Sequence, residues 1–139
     1  MKRHKAIAAL SRDHHHALVV AQRLKRASDT DATGARDAFL EYWRADGHRH
    51  FREEEEILLP AYAGFGDPEA PVVARVLVDH VRIRRMAHEI ASETPNLEAL
   101  QTLGEELSAH VRREERELFP LIEQTLPEPE LARLVQLLG

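Results

Sequence analysis

Two stretches of the chain carry one pattern of residues able to bind a metal. The first is His50-Phe51-Arg52-Glu53-Glu54-Glu55-Glu56-Ile57-Leu58-Leu59-Pro60, and the second is His110-Val111-Arg112-Arg113-Glu114-Glu115-Arg116-Glu117-Leu118-Phe119-Pro120. In each, glutamate follows the histidine by four residues, leucine by eight and proline by ten. Residues four apart lie one turn apart on the same face of a helix. Each His-x-x-x-Glu therefore aims an imidazole and a carboxylate in one direction, which is half of a metal site. Upstream of each copy stands an Asp-His pair, Asp13-His14 and Asp79-His80. A single His-x-x-x-Glu arises by chance in glutamate-rich helices. The whole series, repeated in register, does not.

The candidate metal ligands are thus His14, His50, Glu54, His80, His110 and Glu114. Imidazole and carboxylate without thiolate suit iron, manganese or zinc and disfavour cuprous copper. Buried without partners, such groups would each carry a penalty on the order of several kcal/mol, which a bound cation offsets. The count favours two ions. Six protein ligands around one ion would fill its coordination sphere. Shared between two, each ion takes two imidazoles while Glu54 and Glu114 bridge, leaving room for an oxide or hydroxide bridge and an open position.

Four helices must position these groups. The first is expected from about His4 to Ser28, with Ile7, Leu10, His14, Ala17, Ala21 and Leu24 on a buried stripe. In the triplet His14-His15-His16, the stripe favours His14. A fraction of a turn would substitute His15, and His16 is expected in solvent. After a polar turn from Asp29 to Gly34, a second helix is expected from about Ala35 to Ala61, through Phe39, Trp43, His50, Glu54 and Ile57. Gly47 weakens it locally, so packing must hold it, and Pro60 should kink or end it. Gly64-Phe65-Gly66 forms a loop, and Asp67-Pro68 signals a new start. The third helix is expected to reach about Glu93, with Val73, Val76, His80, Ile83, Ala87 and Ile90 inward. Asn96 can cap a fourth helix carrying Leu100, Leu103, Leu107, His110, Glu114 and Leu121, to about Leu126. A short fifth helix follows, Glu130 to Leu138, docking through Leu131, Leu134, Val135 and Leu138. The fold class is all-α, an antiparallel up-down-up-down four-helix bundle with a short C-terminal fifth helix.

Other polar residues read as bland. Glu53, Glu55 and Glu56 are expected on a solvated face, His4 and His48 on the surface, and His88 as a partly buried hydrogen-bonder. Phe39 and Trp43 are expected in the core.

At 139 residues the chain is read as one domain, 1–139. Its 43% hydrophobic and 31% charged residues describe an ordered, highly charged helical protein. A net charge of −5 argues against a nucleic-acid partner. The absence of cysteine excludes disulfides, thiolate-bound zinc and iron–sulfur clusters. The apolar run Ala6 to Leu10 is too short for a signal peptide, and no later stretch is expected to span a membrane. A cytoplasmic setting without membrane partner is the expectation.

On Asp13-His14, His50-xxx-Glu54, Asp79-His80, His110-xxx-Glu114 and the Leu-Leu-Pro and Leu-Phe-Pro tails, the chain resembles a hemerythrin-like (HHE cation-binding) domain over nearly its whole length. The resemblance implies a four-helix bundle holding two iron ions as a non-haem di-iron centre. It also implies a small ligand, O2, peroxide or nitric oxide, that the protein binds or senses. The alternative it carries is a redox or iron-delivery role in the repair of iron centres. A third reading is a metal-free helical adaptor whose histidines form a buried polar network. The oxygen-carrying hemerythrins have a second histidine on the third helix, four residues after the first, where this chain has Arg84. The remaining set of four histidines and two glutamates is similar to that of the bacterial iron-centre repair proteins. A guanidinium has no lone pair to donate, so Arg84 is expected to turn to an acidic neighbour or to solvent. Nothing in the sequence names a protein partner.

Overall fold

A computed structural model describes residues 3–92 and 94–138. Glu93, the expected end of the third helix, lies outside the described residues. Helix α1, Lys5–Lys25, opens where the His4 imidazole accepts the Ala6 N–H at 3.0 Å, and its whole expected stripe is buried. It stops at Lys25 rather than Ser28 because Ser28 donates its N–H to Asp31, 2.6 Å, and turns the chain. Helix α2 then runs continuously over residues 32–63, beginning three residues before Ala35. Helix α3, Pro71–Ser92, follows. Asp67 does not start it. Its carboxylate accepts the Glu69 N–H at 2.8 Å and its carbonyl the Ala70 N–H at 3.0 Å, closing a turn, and Pro71 takes the first helical position instead. Helix α4 covers residues 97–125, with Asn96 accepting the Ala99 N–H at 3.0 Å. Helix α5, Glu128–Leu138, buries Leu131, Leu134 and Leu138, with Val135 packed beside them.

Pro60 does not end α2, which continues to Ala63. The five residues before Leu59 form a π turn, Glu54–Leu58, in which the Leu59 N–H bonds the Glu54 carbonyl. This wider turn opens the ladder where the proline ring would strike it. Helix α4 repeats the device, with the π turn Glu114–Leu118 ahead of Pro120. Each π turn adds a residue and advances the buried face by one. Leu58 and Ile122 are therefore fully buried where the spacing pointed to Ile57 and Leu121, which are half-exposed. A third π turn, Trp43–Gly47, explains Gly47, where a β-carbon would come within 2.7 Å of the Trp43 ring and 2.8 Å of Tyr42.

Cross-helix contacts give the directions. Arg3 meets Glu123, His14 meets Glu115 and the Ala27 carbonyl meets Gln101, so α1 and α4 run antiparallel. Asp13 with His50 and His16 with Asp46 do the same for α1 and α2. Asp79 with His110 and Arg82 with Glu106 fix α3 against α4. The bundle is all-α and antiparallel, with a short fifth helix, and the described residues contain no strand. Among the described residues, no helix is long and apolar enough to cross a membrane.

The core has two apolar clusters. One gathers Val20, Leu24, Phe39, Phe51, Ile83, Leu103 and Leu107 with their neighbours. The other, closed over by α5, gathers Ile7, Leu10, Leu58, Tyr62, Val76, Phe119 and Leu134. Between them lies a layer of buried ionisable groups.

Candidate metal centre

The six side chains singled out by the repeat all point into that layer, and none is more than 4% exposed. His14 and His50 sit together from α1 and α2, and His80 and His110 from α3 and α4. The two glutamates lie between the pairs. Glu54 sets Oε2 3.0 Å from His50 Nε2 and Oε1 3.0 Å from His80 Nε2. Glu114 sets Oε1 2.7 Å from His14 Nε2 and Oε2 3.1 Å from His110 Nε2. In each half, two imidazole nitrogens and one oxygen from each carboxylate lie within 4.8 Å of one another. Each glutamate shares the α-helical face of the histidine one turn before it, and the π turns begin only at Glu54 and Glu114.

The hemerythrin HHE cation-binding domain matches residues 5–122 of the chain. The chain belongs to that family. No curated protein and no solved structure matches it.

The inner atoms of this hemerythrin domain fit a cation. The Nε2 atoms of His50, His80 and His110, both oxygens of Glu54 and Oε2 of Glu114 are buried with no hydrogen-bond partner. Native interiors rarely leave so many polar atoms unsatisfied together. Their mutual distances are short but their directions are wrong for hydrogen bonds, as expected of donors converging on a third centre.

The outer nitrogens are fully satisfied. His14 Nδ1 donates to Glu115 at 2.6 Å and His80 Nδ1 to Glu55 at 2.6 Å. His50 Nδ1 donates to Asp13 and His110 Nδ1 to Asp79, each at 3.0 Å. A carboxylate on the outer nitrogen fixes the tautomer that leaves Nε2 free as a ligand. The same symmetry relates both halves, since the acid precedes the histidine of α1 or α3, or follows the glutamate of α2 or α4. Arginines neutralise these acids in turn: Arg49 meets Asp13 at 3.3 Å, and Arg75 and Arg113 meet Asp79.

Burial disfavours charge on the rings, yet the surrounding carboxylates win. Desolvation pulls the His14 imidazole down, but its hydrogen bonds to Glu114 and Glu115 push its pKa up to about 9. His80 likewise reaches about 10 through Glu114 and Glu54. Burial raises Glu114, but the charge of His110 and the hydrogen bond of His14 hold it well below the usual carboxylate range. Without a cation the layer is thus held as imidazolium–carboxylate pairs. A cation must displace those protons.

Several expectations change. Glu55 is not on a solvated face: it is half-buried, holding His80 and accepting Arg84 Nη2 at 3.1 Å. The signal for it was in the repeat, since Glu55 and Glu115 each follow a candidate ligand histidine by five residues. Glu53 is likewise half-buried and pairs with Arg49, whereas Glu56 is exposed as expected and pairs with Arg52. His15 is exposed while His14 is buried. His88 is exposed rather than half-buried, and His4 is a helix cap that also meets Glu128 at 3.0 Å. Phe39 is buried and Trp43 packs against the core.

Proposed function

We propose that the protein is a non-haem di-iron hemerythrin-like protein that binds or senses a small oxidant such as O2, peroxide or nitric oxide. The observation that carries the reading is the sharing of two carboxylates between two histidine pairs. Glu54 turns one oxygen to His50 and the other to His80, and Glu114 turns one to His14 and His50 and the other to His110 and His80. That pattern asks for two cations rather than one, and the imidazole-rich donor set suits iron.

Iron in this layer would supply ferrous–ferric valence change and a position for an exogenous ligand. The chain's own residues do the rest. The outer carboxylates hold each imidazole in one tautomer. The apolar clusters on either side exclude bulk water, which strengthens electrostatic interactions inside. The depth of the six side chains selects by size, because a ligand larger than a few atoms would have to force the helices apart. That favours a small oxidant over direct exchange with a macromolecular acceptor.

The iron-repair alternative draws on one feature. Arg84 stands where the oxygen carriers have a fifth imidazole, and it is committed to Glu55. A centre with fewer nitrogen ligands gives up iron more readily. Anaerobic loading with ferrous iron, metal analysis and an absorption spectrum before and after O2, peroxide or nitric oxide test the reading. Two irons per chain and a ligand-dependent spectrum are expected. Protein that retains no iron overturns it, and iron transfer to an apo-cluster acceptor without ligand binding favours repair.

A further inference from the structure

His14 and His80 share a surrounding that the sequence repeat does not encode. Phe51 stacks on His80, centroids 3.8 Å apart and planes 7° apart, and Phe119 stacks on His14 at 5.3 Å and 5°. A guanidinium also lies over each phenylalanine ring: Arg84 is 5.9 Å from the Phe51 centroid and Arg3 is 5.9 Å from that of Phe119. Each arginine also binds the carboxylate that holds the histidine's outer nitrogen. Arg84 Nη2 reaches Glu55 at 3.1 Å, and Arg3 Nε reaches Glu115 at 3.4 Å. The two rings, the acid and the guanidinium thus close a loop around one imidazole in each half.

These loops come from unrelated positions. Val111 and Leu59 stand at the repeat equivalents of Phe51 and Phe119, and Leu18 at that of Arg84. Arg84 projects from the middle of α3, whereas Arg3 precedes α1 and is fixed by Glu123 at 2.7 Å and by Glu115. The same arrangement is therefore built twice by different means. A guanidinium can hold a carboxylate and an aromatic face at once, which no other side chain does as well.

We infer that Arg84 and Arg3 are positioning residues, one for each half of the centre, that act through Glu55 on His80 and through Glu115 on His14. The inference rests on the metal-binding reading above. Loss of either guanidinium frees one carboxylate and loosens one imidazole, so one bound cation is affected and the other is not. Losses of this kind through an outer partner weaken metal binding by about tenfold or more.

The test uses zinc-loaded protein, which is diamagnetic, with chelator-induced release followed alongside nitrogen NMR of the imidazoles. Wild type is expected to hold two equivalents and to show four protected Nδ1–H signals. In Arg84→Met, one equivalent should leave about tenfold faster and one Nδ1–H signal should exchange or shift. Arg84→Lys should restore part of both, and Arg3→Met should affect a different signal. Glu55→Gln breaks the same link from its other end and serves if Arg84→Met folds poorly. Two equivalents released from Arg84→Met and Glu55→Gln as slowly as from wild type, with four unchanged signals, overturn the inference alone. Uniform acceleration of both equivalents overturns it as well. Wild-type protein that takes up no metal overturns the metal-binding reading together with it.

Discussion

Glu114 lies within 3.6 Å of all four imidazoles, whereas Glu54 lies 3.0 Å from two, His50 and His80. The two carboxylates occupy equivalent places in the repeat but carry unequal shares of the layer. Glu114→Gln should therefore weaken metal binding more than Glu54→Gln, by more than the roughly 100-fold that an outer partner can cost. The double variant should retain no metal. Metal analysis after desalting decides it, and full content in the double variant would remove the bridging role.

Metal removal should lower stability. A cation bound by the native state alone, present at about 100 times its dissociation constant, adds about 2.7 kcal/mol. In a chain of this size that is roughly 5–15 °C in melting temperature. The gap should depend on pH. In the metal-free protein, His14 and His80 are raised from 6.5 to about 9 and about 10. Their contribution is complete below about 6.5 and is lost as pH rises through 9 to 10. The cation needs neutral rings, so its own contribution grows over the same range. The difference between loaded and chelated melting temperatures should widen from pH 6.5 toward 9. A gap that narrows would contradict both statements.

His14 and His15 separate cleanly. His14→Ala removes a buried side chain 2.7 Å from Glu114 and should strip metal. His15→Ala changes an exposed residue and should shift stability by less than about 0.5 kcal/mol, with metal content intact. Metal loss from His15→Ala would mean that α1 turns differently in the loaded protein.

Helix propensity and packing oppose each other at Gly104. Alanine there would favour the helix by about 1 kcal/mol. Its β-carbon would stand 2.7 Å from the Ala21 carbonyl oxygen and 2.9 Å from the Leu24 β-carbon. Neither is a flexible chain end, and such overpacking costs about 1–3 kcal/mol. Gly104→Ala should lower the urea midpoint, by a net loss of up to about 2 kcal/mol. A raised midpoint would show that α1 and α4 can separate at little cost.

The inward groups were legible because both halves kept the same residue in the same register. His14 recurs as His80, His50 as His110 and Glu54 as Glu114. The stripes of α1 and α3 were legible too, since both helices are regular throughout. Beyond Glu54 and Glu114 the reading slipped by a residue, because a π turn has no marker in hydrophobic spacing except its effect downstream. Glu55 was hidden inside a run of four glutamates, where composition favours solvent. Phe51, Phe119, Arg3 and Arg84 were hidden for the opposite reason. They converge in space from positions that do not repeat, so comparison of the two halves passes over them.

The polar layer also divides the hydrophobic core. A domain of this size usually has one continuous core, and cooperative unfolding follows that continuity. Here Leu24, Phe39 and Leu103 belong to one apolar cluster and Ile7, Tyr62 and Phe119 to another. Helices α1 and α3 cross from one cluster to the other at His14 and His80, and α2 and α4 cross at Glu54 and Glu114. In the metal-free protein the two ends can therefore open as separate units, with amide exchange changing pace near His14, Glu54, His80 and Glu114. A cation held by side chains from all four helices would couple those openings, so that exchange at one end reports on the other.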